Sequence, residues 1–240
     1  MLFRSVGVSA LAELAHRRGA LVTGSDLKDG PALDRLRAAG VAIFPPGHRA
    51  EYALVADLVV YTSACPSDHV ELVAARRAGV PTMRRAEFLA ASVADRRTVA
   101  IAGAHGKTTT TAMTGAALVA AGLDPTILVG GYLRDGGANL RVGAGPYAVV
   151  EADEYDRSFL ALDPFVALVN NIDREHLDIY RDLDDLRATF AAFADRVPAG
   201  GVVLLGADDA EAASLRSRLR SPVRMFGLSE SADEIGRAHV

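Results

Sequence analysis

Cysteine is almost missing: Cys65 stands alone, which excludes a disulfide framework and any cysteine-built metal centre. No apolar run approaches the ~20 residues of a membrane span. The opening Met1-Leu2-Phe3-Arg4-Ser5 lacks the hydrophobic region of a signal peptide. These absences place the chain in the cytoplasm. Positive charge is not in excess either: 26 Lys and Arg face 30 Asp and Glu, for a net charge of −4. No nucleic-acid or anionic-membrane partner is therefore expected, and the basic cluster Arg84-Arg85 with Arg96-Arg97 reads as solvated surface. There is no internal repeat and no low-complexity segment. A Gly-x-Gly-x-x-Gly turn is also lacking, since the chain begins Val6-Gly7-Val8-Ser9-Ala10 in a helical pattern. That counts against a nicotinamide-dependent dehydrogenase and implies that a first strand and its phosphate turn are absent or remade.

What is present is a chain of 240 residues, 50% hydrophobic and 23% charged, enough for one large or two ordinary globular domains. Residues 6–95 alternate short helical and strand patterns. Helices are expected over 9–15, 31–39 and 70–78, each stopped by a glycine, and strands over 21–26, 41–44 and 58–63. This alternation implies a Rossmann-like α/β domain with a parallel sheet, whose ligands sit at the carboxyl ends of the strands. Asp26 and Ser63 stand at two such ends and are candidate substrate contacts, although Asp26 also reads as a loop residue or helix cap. A polar stretch at 94–97 marks a boundary, so the expected domains are 1–95 and 96–240. Strands of the second are expected at 98–102, 127–131, 147–150, 165–169 and 202–205.

The chemistry concentrates in that second domain. A buried-strand pattern at 98–102 runs into Gly103-Ala104-His105-Gly106-Lys107-Thr108-Thr109, followed by a helical pattern with apolar residues at Met113, Ala116, Ala117, Val119 and Ala120. Strand, glycine turn, Lys-Thr and helix form a cradle for polyphosphate. The glycines let backbone N–H groups converge, Lys107 meets the outer phosphates, and the Thr108 hydroxyl suits Mg²⁺. The match is partial, because Ile101 stands where the usual pattern has its first glycine. A second strand runs into Glu151-Ala152-Asp153-Glu154-Tyr155-Asp156. Four carboxylates so close repel one another unless cations or donors sit among them, and Mg²⁺ bridging carboxylate and phosphate is one remedy; an acidic surface turn is the alternative. A third strand leads into Asn171-Ile172-Asp173-Arg174-Glu175-His176-Leu177-Asp178, where His176 is a candidate cation or phosphate contact.

Taken in order, these motifs resemble the signatures of the Mur ligase family. Gly-Ala-His-Gly-Lys-Thr-Thr-Thr-Thr resembles its phosphate loop, residues 151–160 its second signature in the alanine-adding branch, and 171–178 its third. Ser-Asp-Leu-Lys (25–28), Tyr-Thr-Ser-Ala (61–64) and residues 80–87 are similar to its UDP-binding domain. The resemblance covers about residues 6–230. It implies an ATP- and Mg²⁺-dependent ligase of peptidoglycan precursor synthesis, with UDP-N-acetylmuramate, L-alanine and ATP as substrates. The lactyl carboxylate attacks the γ-phosphate, and the resulting acyl phosphate is attacked by the amine of alanine. It assigns Lys107 to the β/γ-phosphates, Thr108 and Glu151 to one Mg²⁺, and His176 to a second cation. Residues 103–109 would bind ATP, with His105 and Asn139 as substrate contacts. Ala104 departs from a common threonine, and the family's third domain does not follow before Val240. The resemblance therefore implies an inactive fragment. A ligase adding a ready-made peptide to the same sugar, or a nucleotide-binding module without turnover, are the alternatives. Residues 2–5 and 234–240 match translations of common sequencing-adapter strings, so residues 1–5 and 234–240 are expected to be non-native.

Overall fold

The computed structural model describes residues 6–131, 139–174 and 178–236. By internal packing the chain divides into two compact units, Met1–Ser92 with Gly130–Leu140, and Val93–Val129 with Arg141–Val240.

The first unit begins with α1 (Val6–Arg17), β1 (Thr23–Gly24), α2 (Pro31–Ala38) and β2 (Ala42–Ile43). It continues with α3 (Ala50–Leu54), β3 (Val59–Tyr61), α4 (Val70–Ala78), β4 (Thr82–Arg84) and α5 (Arg85–Val93). Both β1–β2 and β3–β4 pair in parallel, the geometry a helical crossover imposes. Each pair carries its own apolar cluster. Val8 and Ala12, one helical turn apart on α1, meet Val22, Leu33, Leu36 and Val41. Around β3 and α4, the cluster is Ala53, Val59, Cys65, Leu72 and Ala75. Gly79 ends α4 in the left-handed conformation (φ 73°), a position at which glycine carries no Cβ penalty. The strands are shorter than their sequence patterns. Leu21, for example, lies before β1 and is fully exposed, so an apolar residue in pattern does not make it a paired one. The expectation about an absent first strand falls on residues 1–5, outside the described residues.

The second unit is built on β5 (Arg97–Ala102), α6 (Lys107–Ala120), β6 (Thr126–Leu128), β7 (Leu140–Arg141), β8 (Tyr147–Glu151) and β9 (Val166–Val169). It is completed by α7 (Leu183–Ala194), β10 (Val202–Gly206), α8 (Ala210–Ser214), β11 (Val223–Gly227) and β12 (Glu234–Ile235). Its sheet runs β12-β11-β10-β9-β5-β8-β6-β7, with every pairing from β12 to β6 parallel. The expected α/β class and mainly parallel sheet are thus present. The central strands are buried on both faces: Ala100, Ile101, Ala102, Val149, Val150, Ala167 and Val169 have at most a trace of exposure, which explains their unbroken apolar runs. Phe190 and Phe193 of α7 form an aromatic cluster with Phe159. Two residues of the supposed non-native tail, Glu234 and Ile235, pair with β11.

The helix that the apolar spacing after Lys107 predicts is present as α6, and its buried face is small rather than apolar. The apolar positions Met113, Ala116, Ala117, Val119 and Ala120 of α6 are exposed, and the buried face is Thr111 and Gly115. The reason is close approach. A Cβ on Gly115 would lie 2.6 Å from Ile127 Cδ1, so the helix seats its smallest residue against β6.

The order of the strands positions the site. From β5 the chain crosses to β6, returns to β8 beside β5, and then moves to β9 on the other flank. Connections leave β5 and β9 in opposite directions, and in open α/β sheets the carboxyl ends at such a switch point are where ligands bind.

Candidate nucleotide site

Residues 103–106 form the turn between β5 and α6. Gly103 has φ +140° and Gly106 φ +79°, both in the left-handed half of backbone space that glycine tolerates. The turn is braced by the end of β9. Asn171 Oδ1 accepts from the His105 N–H at 2.8 Å, and Asn171 Nδ2 donates to the His105 carbonyl at 3.2 Å. The Ala104 N–H donates to the Asn171 carbonyl at 3.2 Å. Asn170 Nδ2 donates to the same His105 carbonyl and to Thr110 Oγ1. The N–H groups of Lys107, Thr108 and Thr109 fall in the first turn of α6, where a helix supplies no acceptor and its dipole favours an anion.

Two side chains of the β8 end reach this turn. The Thr108 hydroxyl donates to Glu151 Oε2 at 3.0 Å. Lys107 Nζ donates to Gly103 O at 2.6 Å, Ala104 O at 3.2 Å and Glu154 Oε1 at 2.9 Å. Glu154 is 2% exposed, and burial pushes its carboxyl above the usual range against the pull of Lys107. The backbone beyond is strained: Asp156 and Arg157 both have φ 53°, which costs about 1–3 kcal/mol for each non-glycine residue. Arg157 is held there by Thr189 Oγ1 and Asp185 Oδ2, each at 2.7 Å, and by the Tyr180 ring 5.0 Å from its guanidinium carbon. The Tyr180 hydroxyl in turn donates to the Glu154 carbonyl at 2.5 Å.

The predicted Gly103, Ala104, His105, Gly106, Lys107, Thr108, Thr109 and Glu151 therefore meet at one place. Thr108 and Glu151 present oxygen donors side by side, the donor chemistry Mg²⁺ prefers. Among the described residues no group of three or more His, Cys, Asp or Glu forms a metal cluster. His176 lies outside the described residues. Asn139 is buried just before β7 and groups with the first unit. Asp26 follows β1 and caps its own turn, accepting from the Leu27 N–H at 2.6 Å; Ser63 is exposed in the turn after β3. Sequence reasoning missed the two-asparagine brace and the partner of Lys107. It also missed a buried polar knot in the first unit. Glu71 accepts from Ser25 Oγ at 2.8 Å and 3.0 Å, and His48 Nδ1 lies 3.0 Å from it. Only the Ser25–Asp26 strand end carried a hint of it. Among the described residues no helix is long and apolar enough to cross a membrane.

The chain matches the family descriptions "Mur ligase family, catalytic domain" over residues 1–97 and "Mur ligase middle domain" over 101–240. It is 44% identical over 227 residues to the UDP-N-acetylmuramate–L-alanine ligase of Sulfurihydrogenibium sp. (strain YO3AOP1), covering 95% of this chain and 50% of that protein. To the protein of the same name from Salinispora arenicola it is 47% identical over 231 residues, covering 95% and 45%. The chain thus spans about half the length of these relatives. Among solved structures it is similar to the UDP-N-acetylmuramate:L-alanyl-gamma-D-glutamyl-meso-diaminopimelate ligase of Neisseria meningitides. That match has a TM-score of 0.89 at 26% identity, covering 98% of this chain and 78% of that one. The UDP-N-acetylmuramate-alanine ligase of Thermotoga maritima matches with a TM-score of 0.82 at 29% identity, covering 95% and 51%. With a braced glycine turn in the second unit and these matches over nearly its whole length, the chain belongs to the Mur ligase family.

Proposed function

We propose that these residues are the UDP-sugar-binding and ATP-binding portion of an ATP-dependent ligase that joins L-alanine to UDP-N-acetylmuramate. The observation that carries the reading is the convergence of Lys107, Thr108 and Glu151 on the glycine turn after β5. The identity to relatives named for alanine favours alanine over a ready-made peptide as the amine.

In this reading the first-turn N–H groups of α6 and the Lys107 ammonium bind and orient the β- and γ-phosphates. Thr108 and Glu151 would hold Mg²⁺, which supplies charge neutralisation at those phosphates. His176 would hold a second cation, while Asp26, Ser63, His105 and Asn139 would position the sugar nucleotide. A carboxylate oxygen of the lactyl group bonds to the γ-phosphorus as the bridging oxygen leaves with ADP. The alanine nitrogen then bonds to the acyl carbon, loses a proton, and inorganic phosphate departs. Such a sequence needs positioning and charge stabilisation more than a covalent nucleophile, and the site offers charge and hydrogen bonds, not an activated nucleophile. The 240 residues by themselves are expected to bind nucleotide without forming the amide.

Calorimetric titration of the chain with Mg²⁺ and a non-hydrolysable ATP analogue tests the reading. Binding is expected, and Lys107→Ala is expected to abolish it. A folded chain that does not bind, or binding indifferent to Lys107, refutes the phosphate loop.

A further inference from the structure

We propose that Glu154 is a positioning residue for Lys107 that competes with nucleotide phosphate for its ammonium, so that nucleotide binds by exchange of one anion for another. The proposal rests on the phosphate-loop reading above. A lysine ammonium carries three donors and no acceptor. Here the donors meet Gly103 O, Ala104 O and Glu154 Oε1, at 2.6, 3.2 and 2.9 Å. A phosphate oxygen can therefore reach Nζ only by displacing one of the three.

The two carbonyls are poorly placed to yield. Ala104 is tied to the Asn171 carbonyl through its own N–H, and Gly103 is packed so closely that a Cβ would stand 3.1 Å from Asn170 Cβ. Glu154 is the one side-chain acceptor of the three, and it bears the same sign of charge as the phosphates. The pair is shielded from water, with side-chain exposures of 15% for Lys107 and 3% for Glu154, so its charges are weakly screened. Its main chain is fixed by the Tyr180 hydroxyl, which keeps the carboxylate beside the loop instead of letting it swing away. A buried anion next to an anion-binding turn opposes the ligand directly. Its neutralisation is expected to tighten nucleotide binding, whereas loss of a merely structural residue would weaken it.

The test uses Glu154→Gln, which keeps size and hydrogen bonding but removes charge, in two measurements. In calorimetry with Mg²⁺ and a non-hydrolysable ATP analogue, the variant is expected to bind about tenfold tighter than wild type, the scale of one weakly screened charge. Glu154→Asp retains the charge and is expected to stay within about threefold of wild type, a much smaller Coulomb change. The second measurement is amine acylation read by mass spectrometry. Lys28 and Lys107 are the two lysines of the sequence, and Lys28 is exposed, an internal reference. The Lys107-to-Lys28 labelling ratio is expected to rise several-fold in Glu154→Gln as the ammonium loses its anionic partner. Equal or weaker nucleotide binding by Glu154→Gln, or the same gain in Glu154→Asp, overturns the proposal while leaving the phosphate loop standing. No binding by wild type and variants alike overturns both.

Discussion

Replacing Gly103 by alanine probes how the Gly103–Gly106 turn is built. The residue has φ +140°, and an added Cβ would meet Asn170 Cβ at 3.1 Å and the Asn171 N and O atoms at 3.2 Å. The backbone contribution is about 1–3 kcal/mol for a side chain forced into that region. The packing contribution follows from what must move. Asn171 cannot retreat without stretching its bonds to Ala104 and His105, and each hydrogen bond lost is worth about 1 kcal/mol net. Together the loss is about 2–4 kcal/mol, a fall in Tm of roughly 5–10 °C for a unit of this size. Thermal unfolding of the 240-residue chain by far-UV circular dichroism reads it out. Gly122→Ala is the comparator, since Gly122 also has positive φ (+74°) but nothing within 4 Å of its Cβ position; only the backbone penalty of about 1 kcal/mol applies there. If the two variants lose equal stability, close packing of the turn on β9 is not what demands glycine, and the brace is misread.

Two other outcomes follow from the same structure. Phe193 is fully buried and stacks on Phe159 at 4.8 Å between ring centroids; Phe193→Ala is expected to cost about 3–5 kcal/mol in urea unfolding, and a loss below ~1 kcal/mol would mean that α7 does not close this core. Acid is expected to destabilise the fold. Asp208 is held below the ordinary carboxylate range by the N–H groups of Leu228 and Ser229, and Asp185 by its hydrogen bond to Arg157 and then the Arg181 N–H. Because these folded values lie below the unfolded 3.8, the native state binds fewer protons. Their stabilisation is present above the unfolded value and is lost as pH falls through the folded ones. Glu154 runs the other way: with its folded value raised above the unfolded 4.5, it favours the fold at low pH and loses that contribution as pH climbs through the raised value. The urea midpoint is expected to drop as pH falls below about 4, with a shallower drop in Asp208→Asn; an identical slope in the variant contradicts the assignment.

Periodicity and punctuation are local, and they were readable in the chain before any coordinate. Helix α4 begins and ends where its pattern and Gly79 put it, and the strands β5, β8, β9 and β10 lie within a residue or so of their apolar runs. Buried central strands announce themselves because both faces must be apolar. The Gly103–Gly106 spacing with Lys-Thr was legible for the same reason, since a turn, a lysine and a helix N-terminus are neighbours in sequence. Partnerships across the sheet were not. Lys107 with Glu154, Thr108 with Glu151, His105 with Asn171 and Ser25 with Glu71 join residues 43 to 66 positions apart. Which of four neighbouring carboxylates meets the lysine depends on β8 lying beside β5, and the asparagine brace depends on β9 lying on its other flank. The buried face of α6 was not legible, because it is chosen by closeness to Ile127, which admits glycine, and not by apolarity. Short-range pattern sets where chain elements begin and end; strand order, a property of the whole sheet, decides which side chains meet at their ends.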